Sequence, residues 1–146
     1  MSKEALVLHN MPCIPNCINI LQGDSQENRS FDYFRSKAAP NIATSLEADF
    51  WTLHVLQISH NEPTVRHALM ALSTLYEHFE VRDTRGSNFL PPSHHNFALK
   101  HYSEAIKLLD SKFREGCDTV EIVLVNCVLF VCLELLLGGP DEALTQ

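Results

Sequence analysis

Apolar residues recur every three or four positions in five segments of the chain, a spacing that predicts amphipathic helices. Four of these segments are 30–40, 46–60, 61–81 and 93–113. The third carries the clearest stripe: Val65, Ala68, Leu69, Leu72, Leu75, Tyr76 and Phe79. The fifth segment, 120–137, is apolar on nearly every face, which predicts a buried central helix.

Proline, glycine and capping residues predict where these helices begin and end. Pro40 is expected to stop the first helix and Pro63 to lie in the first turn of the third. "GGP" at 138–140 predicts the end of the fifth helix, and "PDEALTQ" at 140–146 the start of a sixth. The candidate N-terminal caps are Ser45 for helix two, Asn61 for helix three, and Asp118 or Thr119 for helix five, and Ser93 is expected to start helix four.

No segment shows the alternation of a strand or the turn of a hairpin, so the predicted fold class is all-α. About five helices joined by short links should pack antiparallel to their neighbours in the chain. Residues 1–27 lack periodicity and are predicted to form a loosely ordered leader, followed by a helical domain over 28–146.

Charge argues against nucleic-acid and membrane partners. The formal net charge is −7, and no dense run of lysine or arginine supplies the basic patch that phosphate binding needs. The apolar segment near the C-terminus has its longest uncharged run at 122–133, shorter than the roughly 20 residues that span a bilayer. We therefore expect neither direct nucleic-acid binding nor a membrane partner.

The stretch "MPCIPNC" contains Cys13 and Cys17 with three residues between them. Zinc usually takes four ligands in two short pairs, and only His9 lies nearby. A plain loop is the main hypothesis, with incidental metal binding and redox pairing as alternatives. The five cysteines follow no secretory signal, which favours reduced thiols in the cytoplasm or nucleus.

Other candidate groups give no catalytic, cofactor or metal site. His94, His95 and His101 cluster at the start of the fourth helix, where solvated or capping roles are expected. Cys127 and Cys132 lie in the most apolar segment, where thiols pack in a core and stay protonated. Without a nucleophile and base or a phosphate-binding loop, the chain is not expected to be an enzyme and no cofactor is expected.

Glu134 is a charged residue within the apolar fifth helix. It is either buried beside a partner or placed on a thin polar edge of that helix. The candidate partners are Arg66, His67 and Lys107.

Three blocks resemble, in order and spacing, the helical regulatory region of fungal zinc-cluster transcription factors. They are "DFWTLHVLQISHNEPTVRHALMALSTLYE" (49–77), "ALKHYSEAIKLL" (98–109) and "VLVNCVLFVCLELLLGGPDEAL" (123–144). "FDYFRSKAAPNIA" (31–43) is similar to the segment that leads into this region, so the resemblance covers roughly 28–144. It implies that the five helices form the front part of a larger helical array.

The resemblance also implies a function. The family's zinc cluster uses six cysteines among basic residues, whereas only Lys3 and Arg29 are basic before Phe31 and no cluster is present. The implied protein is a truncated, non-catalytic regulator of transcription, nuclear or possibly cytoplasmic, that binds a protein partner or self-associates through an exposed apolar helix surface. The alternative is a tetratricopeptide-like adaptor, although such repeats recur about every 34 residues and only 98–109 resembles one.

Overall fold

A computed structural model describes residues 24–44, 47–86, 90–116 and 119–142, without the side chains of 139–142. The described residues form five helices and no strand, which confirms the all-α prediction. Helix α1 is continuous over 25–43 and α2 ends at residue 61. The α1 parts are Ser25–Tyr33, a π-helical turn Phe34–Ala38 and Ala39–Ala43; the α2 parts are a π-helical turn Phe50–His54 and Val55–Asn61. The long helices are α3 (Pro63–Arg85), α4 (Pro92–Glu115) and α5 (Val120–Glu142).

The central helix is α3, so the prediction that the fifth helix would be central is wrong. Between Thr64 and Leu75, α3 buries ten side chains around its circumference, and each of the other four helices contacts it. Small residues such as Ala68, Ala71 and Ser73 let several helices approach at once. Only the outer end of the predicted stripe, Phe79, is exposed.

Helix α5 buries one stripe and leaves the opposite side open. The buried residues recur at helical spacing: Ile122, Val125, Asn126, Leu129 and Leu133. An apolar composition all round a helix does not determine how many helices pack against it. Here the neighbouring elements cover one side of α5 only. The described part of α5 is therefore a peripheral helix with an apolar outer surface.

Short polar side chains inside the bundle join α1 and α5 to α3. Ser73 Oγ donates to the carbonyl oxygen of Ser30 at 2.6 Å. Asn126 Nδ2 donates to Thr64 Oγ1 at 3.2 Å and to the carbonyl oxygen of Ile122 at 2.9 Å. Buried polar groups are costly without such partners, so these bonds favour one alignment of the helices over others.

Two predicted helix stops are wrong. Pro40 lies inside α1, directly after a π-helical turn in which the Ala39 N–H bonds to the carbonyl of Phe34. The wider turn relieves the clash that a proline ring makes with the preceding turn of a regular α-helix. At the other end of the chain, α5 continues through Gly138 to Glu142, because Gly138 does not take the left-handed conformation in which Gly86 ends α3. The sixth helix predicted from Pro140 is, as far as the structure describes it, the end of α5.

The predicted caps have mixed outcomes. Thr119 Oγ1 accepts the backbone N–H of Ile122 at 3.4 Å, which confirms it as the cap of α5. Asn61 instead ends α2, and Glu62 takes the cap position of α3 while its carboxylate pairs with Lys112 on α4. Ser93 lies within α4, which begins at Pro92. Ser45 and Asp118 lie outside the described residues.

The predicted leader, 1–27, is described only in its last residues. Helix α1 begins at Ser25, so residues 25–27 belong to the helix and not to a loose segment. Cys13 and Cys17 lie outside the described residues, and the hypotheses about them stay predictions.

The two sides of α5 give a matched test of this packing. Leu133 is fully buried and Leu135 is 72% exposed on the same helix. Leu133→Ala should lower the free energy of unfolding by about 2–5 kcal/mol, because it leaves a cavity in the core. Leu135→Ala should change it by less than about 0.5 kcal/mol. Urea denaturation followed by circular dichroism measures both; equal losses would contradict the one-sided burial of α5.

Candidate functional site

An apolar stripe runs along the open side of α5. Its members are Leu124, Val128, Val131 and Leu135, which are between 40% and 72% exposed. We call these four residues the outer stripe. Successive steps of four, three and four residues place them on one side of the helix, as in the seam of a coiled coil. Contiguous exposed apolar surface of this kind is typical of an interaction site.

A groove between α2 and α5 extends this surface. One cavity of about 450 Å³ is lined by Phe50, His54, Glu121, Leu124, Val125 and Val128. A second cavity of about 300 Å³ is lined by Glu47, Phe50, Trp51 and Val128. Because Phe50 and Val128 line both, the two form one apolar depression, the α2–α5 groove, that opens beside the outer stripe.

Carboxylates border this apolar surface. Glu121 Oε1 lies 3.0 Å from His54 Nε2 at the groove, and the exposed Glu47 lines its second cavity. On the other flank of α5, the Tyr102 hydroxyl donates to Glu134 Oε1 at 2.6 Å. Burial of the tyrosine, together with this bond, raises the pKa of Tyr102 to about 12. The surface therefore has an apolar centre and an acidic border.

Glu134 is exposed, so of the two alternatives the polar edge is confirmed. Its partner is Tyr102 and none of the three predicted groups. Arg66 instead places its guanidinium carbon 4.9 Å from the ring centre of Phe31, and Lys107 pairs with Glu104.

A partly buried histidine pair joins α3 to α4. The Nδ1 atoms of His67 and His101 are 2.8 Å apart, and their rings stack with centres 5.0 Å apart. The prediction of a solvated or capping role is wrong for His101, which is 1% exposed. Among its predicted neighbours, His94 is half-buried and His95 is exposed.

The surroundings of this pair favour one arrangement of its protons. Only one of the two Nδ1 atoms can donate in a bond between neutral rings. The buried Nε2 of His101 makes no hydrogen bond, but it lies 3.6 Å from the Glu27 carboxylate of α1. A proton on that nitrogen is attracted by the carboxylate, whereas a lone pair is repelled. We therefore assign the Nε2–H form to His101, so that His67 Nδ1 donates its proton to His101 Nδ1.

The cysteines of α5 differ from each other. Cys132 is half-buried against the core, as predicted, and burial raises the pKa of its thiol, which keeps it protonated. Cys127 is exposed, so the prediction of core packing is wrong for this residue. It lies beside the outer stripe and not among the residues that face α3.

Two further properties bear on function. Within the described residues, no group of three or more histidine, cysteine, aspartate or glutamate side chains could hold a metal ion. The helix Val120–Gly138 is long and apolar enough to cross a membrane by length and composition alone, although the uncharged run 122–133 had suggested otherwise. In this structure one side of this helix packs against α3.

The histidine pair predicts a dependence of stability on pH. Burial, followed by the charges of His67 and Lys100, lowers the pKa of His101 from 6.5 to about 4. Between pH 4 and pH 6.5 the unfolded chain binds more protons at His101 than the folded chain does. The contribution of His101 to the free energy of unfolding is therefore fully present above about pH 6.5 and is lost as the pH drops toward 4. The loss attributable to His101 should be about 1–3 kcal/mol.

Urea denaturation at pH 4.5 and 7 measures this loss. His101→Gln should shrink the difference between the two pH values, because the titrating ring is gone. His95→Gln, at an exposed histidine of the same helix, should leave the difference unchanged. If His101→Gln kept the full difference in stability between pH 4.5 and 7, the attribution of that difference to His101 would be contradicted.

Comparisons with known proteins identify the family of this chain. The model of the "Fungal specific transcription factor domain" matches residues 29–137. The transcription regulator lscL of Purpureocillium lilacinum is 27% identical over 111 residues, which cover 73% of this chain but 26% of that protein. The chain thus spans about a quarter of the length of this relative. No solved structure is significantly similar. With three quarters of its length matched by the family model, the chain belongs to the fungal specific transcription factor domain family.

Proposed function

We propose that this chain is a non-catalytic regulatory domain that acts in the nucleus by binding another protein at the outer stripe. Membership of the family supports a role in the regulation of transcription. The observation that carries the finer proposal is the exposure of the outer stripe, with Leu135 at 72% and Leu124 and Val131 at 59% each. Monomeric proteins rarely expose a contiguous apolar surface of this kind unless it serves as an interaction site.

The contacts that hold α5 on the bundle lie mainly on its other side. Helix α5 is held by its opposite stripe and by the Asn126–Thr64 hydrogen bond. The outer stripe is therefore available for contact without any opening of the fold. A partner that covers it removes apolar area from water, at roughly 25 cal/mol per Å² before the costs of association.

The regulatory hypothesis is better supported than the adaptor alternative. A tetratricopeptide-like adaptor needs helix pairs that repeat at a fixed period. The five described helices differ in length and contact a single central helix instead of stacking in repeats. The match to lscL covers 26% of that regulator, so it supports the regulatory hypothesis only for the matched part.

A reporter assay tests the proposed contact. The full chain is fused to a heterologous DNA-binding domain and should change expression of a reporter that carries the matching sites. Val128→Lys places a charge in the outer stripe and should return expression to the level of the DNA-binding domain alone.

Val81→Lys is the matched control, because Val81 is 38% exposed and Val128 is 40% exposed. It lies on α3, outside both the outer stripe and the groove, and should leave the reporter effect intact. A fusion without effect on the reporter, or equal effects of the two substitutions, would contradict the proposal.

Direct DNA binding is not part of the proposed function. With a net charge of −7, the chain should show no submicromolar binding to duplex DNA at low salt. Fluorescence anisotropy with a labelled duplex measures this. Tight binding that weakens steeply as salt rises would show that phosphate contacts exist and would contradict the expectation.

A further inference from the structure

We infer that the outer stripe and the α2–α5 groove bind an amphipathic helix of a separate protein, whose apolar seam is flanked by lysine and arginine. This inference rests on the proposed function and specifies the chemistry of the partner. It is carried by the spacing of the apolar residues on α5 and by the charges that border them.

The spacing of the outer stripe fits a helix as the occupant. Residues at 124, 128, 131 and 135 follow the alternation of four and three that characterises a coiled-coil seam. A partner helix with the same repeat can place its apolar side chains between them along about two heptads. At the start of the stripe, the α2–α5 groove offers a depression beside Phe50 and Val128 that a larger side chain can fill.

Three carboxylates border this surface, and His54, which faces Glu121, is the one basic side chain among the residues that line the groove. Glu121 precedes Leu124 by three residues and lies at the end of the outer stripe on the side of α2, Glu134 lies toward α4, and Glu47 lines the groove. The sequence from 117 to 146 contains no lysine, arginine or histidine. Residues beside the seam of a coiled coil choose the partner by charge, so a partner with lysine or arginine at its flanking positions is favoured.

The same charges disfavour a second copy of this chain. Pairing two α5 helices in parallel along this seam places Glu121, one step of three residues before Leu124, against Glu121 of the second copy. An antiparallel pair also offers acidic flanks to acidic flanks, because α5 has no basic residue to exchange. With a charge of −7 on each copy, approach of two chains is opposed from the start.

A membrane is a less suitable occupant than a protein helix. The acidic border is repelled by anionic headgroups. Full insertion of α5 into lipid would also require Asn126 to leave Thr64, with the loss of a buried hydrogen bond.

Three designed peptides of three heptads test the inference on the full chain. The first has leucine at the seam and lysine at the flanking positions, the second has the same seam with glutamate flanks, and the third has lysine flanks with serine at the seam. Titration by fluorescence anisotropy at low salt should show saturable binding of the first. It should bind at least about tenfold tighter than either of the others, with the advantage over the glutamate peptide shrinking as salt rises.

Substitutions locate the site. Val128→Lys should weaken binding of the first peptide by at least about tenfold, whereas the matched Val81→Lys should not change it. Glu121→Gln and Glu134→Gln remove charge without removing apolar surface. Each should weaken binding by about two- to fivefold at low salt.

Several results would overturn the inference. They are equal affinity for the lysine and glutamate peptides, no binding of the first peptide, a dimer in analytical ultracentrifugation that Val128→Lys dissociates, and binding to phosphatidylcholine and phosphatidylglycerol vesicles that Val128→Lys abolishes. A reporter effect that needs Val128 but comes with no preference among peptides would refute only the partner chemistry. Peptide binding without any reporter effect would refute the proposed function and leave the partner chemistry standing.

Discussion

The burial of α3 on all sides between Thr64 and Leu75 is the constraint on which the rest of the structure depends. A helix of 23 residues can be surrounded only if its middle carries small side chains where neighbours cross closely. Ala68, Ala71 and Ser73 meet this condition, and Leu69 and Leu72 fill the space between. Because α1, α2, α4 and α5 all pack on this one helix, each buries a single side and presents the other to solvent.

This arrangement explains why the most apolar helix is not the most buried one. With α3 at the centre, α5 can reach the core along one stripe only, and the rest of its apolar surface remains outside. The same geometry puts Glu121 and Glu134 at the border of that surface. A domain that packs around one helix thus exposes an apolar surface without any change of fold.

The sequence predicted the class of the fold and the existence of each helix, because periodicity reports which residues face a core. It did not predict which helix is central, since that depends on the number of neighbours and not on composition. The stop at Pro40 was wrong because a π-helical turn cannot be recognised from "FRSKA". The cap at Asn61 was wrong because the ion pair of Glu62 with Lys112 joins residues fifty positions apart.

The sequence predicted one part of the candidate site and not the others. An exposed apolar helix surface was expected, but the outer stripe and its border of carboxylates became visible only once the buried side of α5 was known. The His67–His101 pair could not be foreseen, because 34 residues separate two histidines that neither share a motif nor lie on one helix. Single sequences report the faces of helices well and contacts between helices poorly.

The π-helical turns of α1 and α2 have a consequence for how this domain tolerates change in length. Each turn adds a residue to a helix while the residues before and after it keep their faces toward the core, as Ser30 and Ala39 do in α1. Loss of one residue in a regular α-helix rotates everything beyond it by about 100° and exposes the buried side. Within Phe34–Ala38 or Phe50–His54, the same loss would restore an ordinary turn and leave both ends in register. These two short stretches are places where a helix of this domain can lose a residue and still cover the same core.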